Sequence, residues 1–229
     1  MAQALARSGL RDHPFGAEYA ARIGALPGAP HAWIDGLRQS ARAVLATVGL
    51  PGPKSEAWKF TPLSDLARVP FMPAARGDDI DVGVVPAHVP RIDGAARLVL
   101  VNGVPRADLS DPVDGLAGVT VTPLRAALSD ADGQVKAQLG GLASAGVHAM
   151  AALNTAYMAD GLVIAAARAD TPARLHMISI GAAGAEPVAF HPRLVIDLAP
   201  GAELTLIETH VGLPGQPYFA NWVAEVALG

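Results

Sequence analysis

The chain contains no cysteine. Disulfides, zinc–thiolate sites and a thiol nucleophile are excluded in one step. Aromatic residues make up 5% and charged residues 17%. No run approaches the roughly 18 consecutive apolar residues of a membrane span, so no membrane association is expected. Met1 to Arg11 lack the long apolar stretch of a secretory signal, and a cytoplasmic location is expected. Positive charge is not in excess: 17 Lys and Arg stand against 21 Asp and Glu, a formal net charge of −4. With no basic patch, nucleic acid is not an expected partner. The common catalytic signatures are missing too. There is no phosphate-binding P-loop, no dinucleotide glycine fingerprint, no nucleophile elbow and no zinc-protease helix motif. Gly181 and Gly184 are a lone pair in a loop between strands.

What is present is a globular composition. The 229 residues are 51% hydrophobic, enough to bury a sizeable core. The length fits one large domain, or a small one with a larger one. Glu18, Tyr19, Arg22, Ile23 and Leu26 suggest a short helix before Pro27-Gly28. A longer one follows, with Trp33, Leu37, Ala41, Val44, Leu45 and Val48 at steps of three and four. Asp35, Arg38, Gln39 and Arg42 are assigned to its opposite, wet face. Gly49 sits where a C-terminal cap belongs, and Pro51 and Pro53 stop continuation. Thr61-Pro62 and Thr122-Pro123 each read as helix starts, and Val147 to Met158 as a helix. Residues 70–90 read as a linker or loop.

Arg97 to Val101, closed by Asn102-Gly103, reads as a strand and a hairpin turn. After residue 162 the character changes. Leu162 to Ile164, Arg174 to Ile180, Arg193 to Leu198, Glu203 to Glu208 and Trp222 to Leu228 all read as strands. Leu194, Ile196 and Leu198 alternate with Val195 and Asp197, so one face is buried and the other wetter. With no helical pattern between these strands, a doubly wound α/β sheet is disfavoured. A solenoid and a closed sandwich both remain open on pattern alone.

Few residues invite chemistry. Glu208 and His210 lie two apart on a strand, hence on one face, where both could approach a metal ion. Glu186 and His191 are near in sequence. That pattern defines the alternative reading, a metal-dependent, cupin-like β-sandwich enzyme; a solvated polar strand end is the plainer account. Arg193, after His191-Pro192, is read as an exposed strand start in preference to an anion contact. Trp58 and Phe60 are read as core in preference to a recognition surface. Asn154 and Asn221 are read as amides that satisfy backbone groups. No catalytic, cofactor-binding or metal-ligating residue is assigned, and the chain is not expected to be an enzyme.

Several ordered segments together resemble the SufB/SufD family: Ser55-Glu56-Ala57-Trp58-Lys59-Phe60-Thr61-Pro62-Leu63, then Leu98 to Gly103, then Ala152-Leu153-Asn154-Thr155-Ala156-Tyr157-Met158-Ala159-Asp160-Gly161. His191-Pro192-Arg193, Ala202 to Glu208 and Phe219 to Val226 continue the series. Each motif is weak alone; their order and spacing over residues 54–228 carry the resemblance. The amphipathic N-terminus is nearer to the SufD branch. The resemblance implies a mixed, mainly β fold, with a helical N-terminal region followed by a right-handed parallel β-helix. Residues 1–90 would be the helical domain and linker. Residues 91–229 would begin the β-helix, with a helical insertion at about 122–158.

It also implies a scaffold subunit of the SUF iron–sulfur cluster assembly complex, with SufB and the SufC ATPase as partners. This segment is expected to bind no cofactor itself, while an iron–sulfur cluster and FADH2 belong to the level of the full complex. Proteins of the family are considerably longer, so the chain is expected to be truncated. An open β-helix end is then expected to self-associate through the strand near Trp222 to Leu228.

Overall fold

The computed structural model describes residues 15, 17–52, 55–61, 63, 66–74, 76–77, 80–83, 88–130, 135–146 and 148–229. Met1 to Arg11, Pro53, Pro62 and Val147, on which sequence expectations rest, lie outside these residues. The described elements are short helices and eleven strands, so the protein is mixed and mainly β.

The first helices are α1 (Ala17–Ala21) and α2 (Ala32–Val48). Gly49, at φ +66°, closes α2, and its N–H donates to Leu45 O. The buried stripe of α2 is Ile34, Arg38, Ala41 and Leu45. This corrects the expected wet face: Arg38 is almost wholly buried, whereas Val48 is exposed. A guanidinium tolerates this position because it finds backbone acceptors. Arg38 Nη1 donates to Pro27 O at 2.9 Å and Nη2 to Met158 O at 3.1 Å. Burial pulls its pKa down to about 10, so it keeps its proton at neutral pH. A second correction concerns Phe60, which is 90% exposed rather than core. Around it the chain forms a 3-10 turn at Glu56–Trp58 and another at Leu66–Arg68.

The strands begin with β1 (Met72–Pro73), inside the stretch read as linker. Next come β2 (Ala96–Val101) and β3 (Val104–Pro105), a hairpin whose turn is Asn102 and Gly103 at φ +50° and +78°. Two positive φ values in a two-residue loop match the strand twist, which explains Asn-Gly at this point. β4 (Val119–Pro123) ends on the proline expected to start a helix; α3 (Leu124–Ser129) begins one residue later. Helices α4 (Val135–Gln138) and α5 (Ala149–Tyr157) follow. The remaining strands are β5 (Gly161–Ala166), β6 (Ala173–Gly181), β7 (Val188–Phe190), β8 (Arg193–Leu198), β9 (Leu204–Gly212), β10 (Tyr218–Ala220) and β11 (Val223–Leu228).

Three sheets result, ordered β1-β7-β10, β11-β8-β5-β4 and β3-β2-β6-β9. From β5 onward every strand pairs in parallel with the strand three places away in the chain. Gly161 lies beside Arg193, and Arg193 beside Val223. Ala173 lies beside Leu204, and Val188 beside Tyr218. Among the described residues the antiparallel pairs are β2 with β3 and β4 with β5.

Alternation along the strands sorts the core into compartments. Leu98, Leu100, Leu175 and Met177 from one sheet meet Leu162, Ile164, Leu194 and Ile196 from another. Burying one such side chain contributes about 1.5–3 kcal/mol. The opposite faces carry the helices. Val195 packs with Ile34, Leu124, Leu128 and Met158. Ala189 packs with Phe15, Tyr19, Ala41, Leu45, Leu153 and Tyr157. Strand β8 is therefore covered on both sides, and so reads as continuously buried from Arg193 to Ile196. Among the described residues no helix is long and apolar enough to cross a membrane.

Candidate functional site

The densest polar construction lies where α5 meets the starts of β8 and β11. Arg193 and Glu225 come from neighbouring parallel strands. Val223 is the register partner of Arg193, and Glu225, two residues on, shares its face. Both side chains are shut away from solvent, at 0% and 1% exposure. Arg193 Nε and Nη2 donate to Glu225 Oε1 at 2.9 and 2.6 Å. The carboxylate also accepts backbone N–H groups from Gly140 (2.8 Å), Leu142 (2.9 Å) and Ala143 (3.0 Å). Burial alone would raise the Glu225 pKa, but the amides and the guanidinium outweigh it and hold the carboxyl below its ordinary value. Burial pulls the Arg193 pKa down, and Glu225 offsets part of that.

Asn154 on α5 ties the helix to both strands. Its Nδ2 donates to Pro192 O at 2.7 Å and Asn221 O at 2.8 Å, and its Oδ1 accepts from Arg193 Nη1 at 3.1 Å. Asn221 Nδ2 donates in turn to Met150 O at 2.9 Å. Both asparagines thus satisfy backbone groups, as their sequence context suggests. Arg193 does not fit its expectation as an exposed strand start. It is the centre of the network, and the anion it meets is this chain's own carboxylate. A carboxylate neutralised and hydrogen-bonded on both oxygens has little capacity to act as a base. The chemistry is that of a clamp, joining two strands, a helix and the loop at 140–143.

The other sequence candidates are not drawn together. Glu208 and His210 do share a face of β9, with Nε2 and Oε2 3.3 Å apart, and the imidazole stands edge-on to Trp222 at 6.1 Å. His191 lies elsewhere, buried among Phe15, Tyr19, Tyr157 and Phe219. Among the described residues no three His, Asp or Glu side chains gather in a way that could hold a metal ion. Among the described residues the metal reading therefore has a pair and no third ligand.

A cleft of about 400 Å³ opens at the C-terminal end of α5, lined among others by Tyr19, Arg22, Arg76, Arg125, Asp160 and His191. Asp160 is buried and its Oδ1 accepts the N–H groups of Arg125 and Gly161, each at 3.0 Å. Burial raises its pKa despite those bonds. Glu225, Asp160 and the cleft arginines were not singled out by sequence. A lone charge inside an otherwise apolar strand, as at Glu225 in β11, is the signal that could have found the clamp.

Compared with known proteins, residues 18–171 match the family model of the SufBD protein N-terminal region. The chain belongs to the SufB/SufD family. Among SufBD relatives, it is 34% identical over 183 residues to the iron–sulfur cluster assembly protein SufD of Escherichia coli. It is 27% identical over 201 residues to an iron–sulfur cluster assembly SufBD family protein of Synechocystis. These alignments cover 77% and 84% of this chain, but only 39% and 44% of the relatives. The SufBD match includes Asn154 and Asp160 and ends in the loop before β6, so Arg193 and Glu225 lie beyond it.

Proposed function

We propose that this chain is part of a scaffold subunit for iron–sulfur cluster assembly, working beside a SufB-like chain and a SufC-like ATPase. The observation that carries the reading is the family match over residues 18–171, joined to two relatives named for cluster assembly. The parallel, three-step strand pairing supports a further part of it, that strands from β5 onward are the first turns of a right-handed parallel β-helix. The described helices within residues 17–68 and those between β4 and β5 form its helical side layer.

The site geometry is compatible with such a role. The buried charges of Arg193 and Glu225 are spent on holding the helical layer to the strands, which stiffens a platform rather than performing a reaction. With no cysteine, the chain brings no thiolate to a cluster, which would pass through the complex as cargo on ligands from elsewhere. ATP hydrolysis and reduced flavin are likewise assigned to the assembled complex, in the cytoplasm.

The test is capture of the tagged full-length protein from its own cells. Recovery of SufB-like and SufC-like chains in fixed proportion is expected. Intact, soluble protein that brings down neither chain would overturn the scaffold reading.

A further inference from the structure

Two sheets end on the N-terminal side of the strand stack, and they end differently. The sheet β3-β2-β6-β9 stops on β3, a two-residue strand whose Pro105 offers no N–H. The sheet β11-β8-β5-β4 stops on β4, Val119–Pro123, whose sequence is valine and threonine in alternation with proline only at the last position. Among the described residues β4 pairs with β5 alone, so its other edge keeps backbone donors and acceptors without a strand to meet them. Valine and threonine favour an extended chain, and β4 carries none of the charges that commonly guard a free edge.

An apolar pocket of about 330 Å³ lies beside this strand. Val121 and Pro123, register partners of Ile164 and Leu162, share their inward face and line it with Leu98 and Leu100. The loop after β3 supplies the other wall, including Val113, Asp111 and Asp114. Asp111 is neutralised by Arg91, whose Nη1 and Nη2 donate to it at 3.0 and 3.2 Å. Among the described residues no lysine, arginine or histidine lines the pocket, which leaves the exposed carboxylate of Asp114 as its uncompensated charge. A free strand edge beside an apolar pocket is the arrangement that captures an extended peptide. Backbone bonds supply the affinity, and the pocket selects a side chain. We infer that β4 takes up an extended peptide segment of a protein partner. The segment adds as a strand, sets one apolar side chain in the pocket and carries a lysine or arginine opposite Asp114. The inference rests on the edge and the pocket, not on the cluster-assembly reading, and it puts the partner at the end of the stack opposite β9, β10 and β11.

A suitable probe for the full-length protein is a short capped peptide, threonine and leucine in alternation with a lysine at each end. The expected result is saturable binding by calorimetry, with a Kd of about 1 mM or tighter, and slowed hydrogen–deuterium exchange in β4. The same peptide ended with glutamates should bind about fivefold more weakly at low salt. Ala107→Trp, at an exposed residue of the pocket wall, fills the pocket and should weaken binding about tenfold with the circular dichroism spectrum preserved. Should that variant not fold, Asp114→Lys on the exposed loop replaces it and should weaken the lysine peptide about fivefold. No saturable binding, binding that leaves exchange in β4 unchanged, or unchanged affinity in the folded variant overturns the proposal. So does isobutylbenzene filling the pocket while the peptide fails to bind, which makes it a site for small molecules instead.

Discussion

Two pairs in this molecule each set a nitrogen base beside a glutamate, and they end in opposite states of burial. Arg193 and Glu225 sit on β8 and β11 with no contact to solvent. His210 and Glu208 sit together on β9 with 48% and 41% of their side chains exposed. The first pair lies under the helical layer, and the 140–143 loop adds three amide donors to its carboxylate. The second has solvent on one side and an aromatic edge on the other. What separates them is the covering layer. Removing water makes a charge expensive, so a buried pair persists only where every lone pair and proton finds a partner.

The largest effect is therefore expected at the clamp. Glu225→Ala leaves a buried guanidinium without its carboxylate and should cost about 3–5 kcal/mol, read by urea unfolding. A double variant, Arg193→Met with Glu225→Leu, should recover most of that loss. If the single variant costs no more than a surface change, the two pairs do not differ as argued.

Acid comes next. Glu225 has a depressed pKa in the folded state, so its contribution is complete above the ordinary glutamate value and lost as pH falls through the folded one. His191, buried and pushed down to about 3, acts in the same direction from the ordinary imidazole value near 6.5 downward. Together they predict stability falling between about pH 6.5 and 3, with a slope near 1.4 kcal/mol per pH unit for each proton taken up. His191→Phe should remove the upper part of that limb in a pH series of denaturation curves.

A smaller change is expected from Asn221→Ala. It strips a donor from Met150 O and His191 and should cost about 1–3 kcal/mol. Least of all is Glu208→Ala, which should fall within about 0.5 kcal/mol of the parent. A large loss there would mean that the exposed pair carries weight the comparison denies it.

The same contrast explains what could be read in the sequence. Helix α2, its glycine stop, the Asn102-Gly103 hairpin and the five longer strands all follow from local period and turn chemistry. The three-residue strands β7 and β10 do not, because a run that short shows no period. Arg38 and Arg193 were placed in water because a cation is normally there. Each is instead buried against oxygens that come from far along the chain, Met158 O for one and Glu225 for the other. Phe60 failed in the reverse sense, an aromatic left 90% exposed. Long-range partners decide these positions, and no local window contains them. The asparagines were legible because an amide among apolar neighbours has few uses other than backbone satisfaction.

The clamp grips the helical layer by backbone amides. Gly140, Leu142 and Ala143 offer peptide N–H groups to Glu225, and their side chains take no part in those bonds. Any residue with an N–H serves equally, apart from Gly140, whose φ of +78° favours glycine. During divergence the loop is therefore free to change its surface identity, and with it what it presents to neighbours, while the single glutamate beneath it stays under constraint.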